Sequence, residues 1–245
     1  MPEMNDTAIF NKYFEMIPAI SDELKHEVYK LRYQVYCVEM GFQNPEEFPE
    51  GIEFDEYDPH SSHYLIRHRG LGIYIATTRL ILPDANNREK PFPMEKHSQI
   101  DNVNLLKTMP RHNLAELSRF CVSKEFRRRK NEQQLLTTID AVDLEIIFEQ
   151  EEKMISSHLT LALFACAIKM SSENNIHYWY AIMEPALMRV FSALGIHFVG
   201  IGPLVDYHGL RQPCVIKVDE LLDSVAKKDL NYWNMLTNNG EFRPR

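Results

Sequence analysis

The sequence predicts an α/β protein with a mixed central sheet flanked by helices and a helical insert after the central strand. Three observations carry the prediction. Strand-like runs (Ser62–His68, Leu71–Leu82, Asn113–Val122, His177–Met183) are interleaved with stretches of helical period. The first three follow one another as an antiparallel meander. A long helical stretch then separates Asn113–Val122 from His177–Met183, as a crossover to a parallel neighbour requires. With 245 residues, 44% hydrophobic and 25% charged, the chain can bury a sizeable core.

Taken in order, Tyr13–Ile20 reads as a first strand, with Pro18 confining it to an edge. Ser21 caps a helix that begins with Asp22 and Glu23 and stops at Gly41. Leu24, Val28, Leu31, Val35 and Val38 form its buried stripe, and Arg32 and Tyr36 share a face beside it. Gln43–Ile52, rich in Pro and Glu, is a surface loop. Ser62–His68 and Leu71–Leu82 pair through Arg69-Gly70, and Asp84–Arg111 is a long excursion with little regular structure. After the Asn113–Val122 strand comes the basic cluster Arg127–Lys130, then the acidic amphipathic stretch Asn131–Lys153. Ser157–Glu173 is a helix apolar nearly all round, and His177–Met183 is a strong strand. Pro185 opens a short helix closed by Gly195. His197–Ile201 and Pro213–Val218 are further strands, and Asp219–Lys227 is a terminal helix. Residues 1–245 are read as one domain, with 131–156 a helical insert and 236–245 a flexible tail.

A net charge of −8 argues against a general nucleic-acid binder. Cys37, Cys121, Cys166 and Cys214 form no C-x-x-C pair, so they read as buried thiols in a reducing compartment rather than zinc ligands. The N-terminus has no charged-then-apolar leader, and Ser157–Met170 is too short an apolar run to span a bilayer. A cytoplasmic protein is expected.

The candidate chemistry centres on the Asn113–Val122 strand, where Glu116 and Arg119 stand in an otherwise apolar element. Charges are rarely buried in a strand without a partner or a task. Regular alternation sends Glu116, Ser118 and Phe120 to one face and Arg119 to the other. The four acids of Glu53–Asp58 read as a solvated loop, a metal site without calcium-loop spacing, or partners of Arg32, Arg79 and Arg119. Spacing alone leaves the three open.

These positions resemble a known pattern: an Arg, an aromatic four on and another six further, then E-x-D-x-x-D, a later Arg, and E-x-S-R-F. Here they are Arg32, Tyr36 and Phe42; Glu53, Asp55 and Asp58; Arg79; and Glu116, Ser118, Arg119 and Phe120. The pattern is similar to that of the GNAT N-acyltransferase superfamily, and within it the acyl-homoserine-lactone (autoinducer) synthases and N-acyl amino acid synthases. Tyr36 and Phe42 stand where autoinducer synthases usually carry Phe and Trp, and L-R-Y-Q-V-Y-C-V-E-M-G-F with the longer loop before the acids looks more like the acyltransferases found beside exosortase (PEP-CTERM) systems and the acyl-tyrosine synthases.

The resemblance implies transfer of a long-chain acyl group to the α-amine of an amino acid or similar acceptor. The donor would be the acyl-phosphopantetheine arm of acyl-carrier protein, with no permanently bound cofactor and no metal. Acetyl-CoA-using relatives carry a glycine loop for the pyrophosphate, and Val122–Asn131 has no glycine. Arg127, Arg128, Arg129 and Lys130 would dock the acidic carrier, the alternative being a solvated turn. Glu116 would be the base and backbone N–H groups near Phe120 and Val122 the oxyanion donors. Arg32, Glu53, Asp55, Asp58 and Arg119 would wall the pocket, and Arg79 would reach the acceptor's carboxylate. Phe164, Trp179, Met183, Met188 and Phe191 are of the type an acyl tunnel needs. The alternatives are an autoinducer synthase acylating S-adenosylmethionine and a non-catalytic acyl-carrier-binding module.

Overall fold

The computed structural model describes residues 6–87, 89–124 and 141–244. Its centre is a mixed sheet of eight strands: β1 (Phe14–Pro18), β2 (Ser61–His68), β3 (Ile73–Ile81), β4 (Leu114–Val122), β5 (Tyr178–Met183), β6 (Val199–Gly200), β7 (Val205–Asp206) and β8 (Leu210–Lys217). The order is β1-β2-β3-β4-β5-β8-β6, with β7 paired to β8. Neighbours are antiparallel except β4 and β5, the parallel pair that a crossover helix implies. Pro18 sits at the end of the outermost strand, where the missing N–H costs no ladder bond.

Helix α1 (Asp6–Tyr13) precedes β1, and α2 (Asp22–Tyr33) follows it. Ser21 caps α2 as its side chain predicts, accepting from Leu24 N–H at 3.3 Å. The helix does not run on to Gly41 in α form, because Gln34–Glu39 is a π turn. The wider turn changes the phase of the buried stripe: Cys37 is buried and Val38, expected inside, is 58% exposed.

The Asp84–Arg111 excursion carries two short helices, α3 (Pro93–His97) and α4 (Val103–Lys107), and folds back over one face of the sheet. Phe92 and Met94 anchor it in a small core with Tyr57, Ile81, Leu114, Tyr180, Ile201 and Val215. A Cβ at Gly202 would collide with the Gln99 carbonyl, so glycine there is what allows the close approach. Arg111 holds Glu95 through both Nη atoms at 2.5 and 2.8 Å, with its guanidinium 4.3 Å over the Phe92 ring.

The other face is covered by α5 (Ala141–Asn174), which joins the expected insert and the expected apolar helix into one. No Gly or Pro occurs between Asn131 and Asn174 to interrupt it. Leu159, Leu161, Leu163, Phe164, Cys166 and Ile168 are all buried in the main core. After α6 (Pro185–Ala193) and α7 (Val218–Lys228) comes α8 (Leu230–Thr237). Where the sequence predicts a flexible polar tail from 236, Leu236 and Thr237 are fully buried and Phe242 packs into the main core. Tyr232 and Trp233 supply apolar surface that a reading by polar composition overlooks. All four cysteines are free and buried. Among the described residues, no helix is long and apolar enough to cross a membrane.

Candidate active site

β4 departs from regular alternation, and the site follows from that departure. Opposite Thr77 stands Cys121 and opposite Arg79 stands Ser118, so two residues of β4, Arg119 and Phe120, face the single Thr78. This is a β-bulge, with Arg119 at φ +49°, a conformation disfavoured for a side chain of this size. The extra residue inverts the phase of the strand. Phe120 turns to the α5 side, with its ring 4.9 Å from Phe164 and 5.7 Å from Phe191. Arg119 joins Glu116 and Ser118 on the face under α3. The expected opposition of Glu116 and Arg119 is thereby corrected, as is the pairing of Phe120 with Glu116.

On this face three guanidiniums meet three carboxylates. Arg32 bonds Glu53 (Nε, 2.5 Å) and Asp58 (Nη1, 2.6 Å). Arg79 donates from Nη1 to Asp55 at 2.7 Å and Asp58 at 2.8 Å, and from Nε to the Ser118 hydroxyl at 3.0 Å. Arg119 donates from Nη2 to Glu53 at 2.7 Å and lies 3.5 Å from Asp55, over the Tyr36 ring at 5.2 Å. Of the three readings of the acidic run, the network is the one formed; Glu56 alone stays outside it, on Lys96. Burial would raise Glu53 and Asp58, but Arg32 with Arg119 and Arg32 with Arg79 outweigh it and hold both at about 2. His63 lies 3.5 Å from Asp58, and burial pushes it down to about 3, so it adds no charge.

Glu116 stands apart from this balance. Its Oε2 accepts the Met94 N–H at 2.8 Å, and no guanidinium bonds it among the described residues. Burial pushes its carboxyl up to about 7, against the pull of the Met94 N–H and Arg79.

β4 and β5 pair over only three residues, ending at Glu116 opposite Tyr180, and then part. A cavity of about 380 Å³ occupies the gap. On the α3 side lie its charged and polar groups, Tyr36, Glu53, Asp55, Arg79, Glu116, Ser118 and Arg119, with Pro93 and Ile182 beside them. On the α5 side it is apolar: Leu117, Phe120, Ala181, Met183, Leu187 and Phe191. The cavity passes through the sheet, changing chemical character as it does so. Ser123 N donates to Ile75 O on β3, so backbone alternation aims the preceding Val122 N–H at the opposite, open edge.

One family model and three solved structures match the chain. Residues 31–137 match the family described as acetyltransferase (GNAT) domain. BjaI, a CoA-dependent acyl-homoserine lactone synthase solved with SAM and isopentyl-CoA, superposes with a TM-score of 0.56 at 16% identity, covering 92% of this chain and 99% of its own. TofI, solved with an inhibitor and MTA, gives 0.56 at 18%, covering 87% and 96%. FeeM, an N-acyl amino acid synthase from uncultured soil microbes, gives 0.52 at 15%, covering 86% and 94%.

The chain has a GNAT-like fold. No curated protein matches it.

Within the GNAT-like fold, most of the described residues singled out by sequence converge on the cavity, and three do not line it. Arg32 and Asp58 lie behind the wall, and Val122 lies outside the lining. Met183 and Phe191 line the apolar side, whereas Phe164 and Trp179 are fully buried in the core and Leu187 takes the position expected for Met188. Arg127, Arg128, Arg129 and Lys130 lie outside the described residues. Sequence reasoning missed the rim formed by His97, Tyr207, His208 and Arg211. His97 stacks on Tyr207 at 4.6 Å, and His208 stacks on Phe42 at 6.0 Å. The available signals were Pro93 with Glu95, which mark a helix start, and the His208-Gly209 turn between short strands.

Proposed function

We propose that this chain is an N-acyltransferase moving a long-chain acyl group from acyl-carrier protein to the α-amine of an amino acid or amino-acid-like acceptor. The observation that carries the reading is a buried, elevated carboxylate facing a cavity that is polar on one side of the sheet and apolar on the other. An acyl tail suits the apolar side and an amine the polar side. The amine nitrogen attacks the thioester carbonyl as Glu116 takes its proton, directly or through a water. Backbone N–H groups near Phe120 and Val122 hold the oxyanion. The C–S bond then breaks, leaving an amide and a carrier thiol. The open edge of β4 suits an extended arm bearing its own amides.

The test is mass spectrometry of products from the purified chain given palmitoyl-carrier protein or palmitoyl-CoA with a mixture of amino acids. Acyl amino acids are expected; no amide from either donor overturns the reading. With S-adenosylmethionine as acceptor, an acyl lactone would instead favour the autoinducer-synthase reading, which the fold shared with BjaI supports. The glycine-free Val122–Asn131 favours a carrier-bound donor. Charge reversal at Arg127, Arg128 and Arg129 is expected to raise KM for the carrier about tenfold at low salt, less at high salt. An unchanged KM dismisses the patch.

A base must be ionised to act, so kcat should climb with pH through about 7 as Glu116 loses its proton. That limb should stay in place when the acceptor amine is made less basic. A profile that follows the amine alone removes Glu116 from the role.

A further inference from the structure

We propose that Arg211 is the anchor for an anionic group on the acceptor, which makes the acceptor's free carboxylate a condition of binding; this rests on the acyl-transfer reading above. Charge matching within the cavity motivates it. Arg32, Arg79 and Arg119 are matched by Glu53, Asp55 and Asp58, and Glu56 by Lys96. Of the other charged residues in the lining, Glu116 has no ionic partner among the described residues and Arg211 pairs only with Glu184, which lies outside the lining. A proton acceptor and a fixed cation on one wall are complementary to a molecule carrying an amine and a carboxylate.

Position supports the assignment. Tyr180, Ile182 and Val215 face the α3 side, and alternation puts Arg211 on that side with Val215. From Glu116 to Arg211 the path runs two strands across and about four residues along, some 16 Å between backbones at ordinary strand spacings. Two long side chains narrow that span to the size of a small amino acid.

The guanidinium is held at hydrogen-bond distance by neutral carbonyls, and its ionic partner is a half-exposed carboxylate outside the cavity. Nε donates to Tyr207 O at 2.6 Å and Nη2 to His208 O at 3.3 Å, both carbonyls of its own hairpin. Its carboxylate neighbour is Glu184, 3.6 Å away and half exposed, outside the cavity. No described residue bonds Nη1, and the carbon at the guanidinium centre lies 5.5 Å from the Phe42 ring. An arginine so oriented offers a free N–H edge to a carboxylate. Arg79 also has two nitrogens engaged, but its Nη1 already bonds two carboxylates, Asp55 and Asp58, which makes it the poorer candidate for this task.

The test uses N-dodecanoylglycine and N-dodecanoylglycinamide, which share an acyl chain and amide and differ only in the terminal charge. Calorimetry with the wild-type chain should show the acid bound about tenfold or more tighter than the amide. Arg211→Met should abolish that preference while leaving the amide's Kd unchanged, which also verifies its fold. Equal binding of the two compounds to wild type, or a preference that survives in Arg211→Met, overturns the proposal, as does equal weakening of both by the substitution. Failure of the acyl-transfer reading has a separate signature: neither compound binds the wild type, and no amide product forms.

Discussion

Glu116→Gln is expected to fold normally and lose acyl transfer by about a hundred- to ten-thousand-fold, the range that a positioned base contributes. The substitution keeps the shape of the side chain, and its amide oxygen can still accept the Met94 N–H. What is lost is the ability to take a proton. The loss should appear in kcat, with KM for the acceptor little changed; full activity in the variant removes Glu116 from the mechanism. Stability should move the other way. A carboxyl raised from 4.5 to about 7 binds its proton more tightly folded than unfolded, so the native state loses stability as pH rises between those values. Glu116→Gln escapes that cost, which is on the order of 3 kcal/mol at 1.36 kcal/mol per unit. In urea at pH 8 the variant should be the more stable, with the gap closing toward pH 4. Such an exchange of stability for activity is typical of a functional position.

Glu53→Ala should be the most destabilising single change in the network. Glu53 bridges Arg32, which has no solvent exposure, and Arg119 at the cavity wall. Its removal leaves Arg32 buried with Asp58 alone, and breaking a buried pair from one side costs about 3–5 kcal/mol. For a chain of this size that is a fall in Tm of roughly 10 °C or more. Arg32→Met with Glu53→Met should recover part of the loss, since no charge is then stranded. A Tm within about 2 °C of wild type for Glu53→Ala would mean that the network has little structural weight. The acid limb has a definite sign. Carboxyls held below their ordinary values stabilise the fold fully above those values, and Glu53 and Asp58 should release that stability as pH falls from about 4.5 toward about 2.

The members of the network were legible as residue types and the family resemblance grouped them, although spacing alone left a solvated loop and a metal site equally open. Arginines and acids at Arg32, Glu53, Asp55, Asp58, Arg79 and Arg119 have few reasons to sit in or beside apolar elements unless they meet, and they do. The strand order was legible for a similar reason, since chain length between β4 and β5 leaves little choice but a parallel crossover. The bulge at Arg119 was not. Such positions are usually marked by glycine, and here an arginine tied to Glu53 occupies a positive φ, so tertiary bonds override the local preference. The π turn after Tyr33 left no mark either, and so Val38, expected in the buried stripe, is exposed. The rim of His97, Tyr207 and Arg211 depends on contacts between segments distant in the chain. The cover over Glu116 is a backbone N–H, for which side-chain pattern gives no signal.

Phe164 sits wholly in the core, yet its ring backs both Phe120 and Phe191 at 4.9 and 4.8 Å, the two aromatics that close the greasy end of the cleft. For the acyl tail proposed above, the depth of that end would be set in part from α5, through a residue that does not line the cavity. In the proposed reaction, proton handling belongs to the opposite side of the sheet, under α3. Descendants of this chain could trade one lipid length for another by mutating the helix, with the acid–base apparatus untouched.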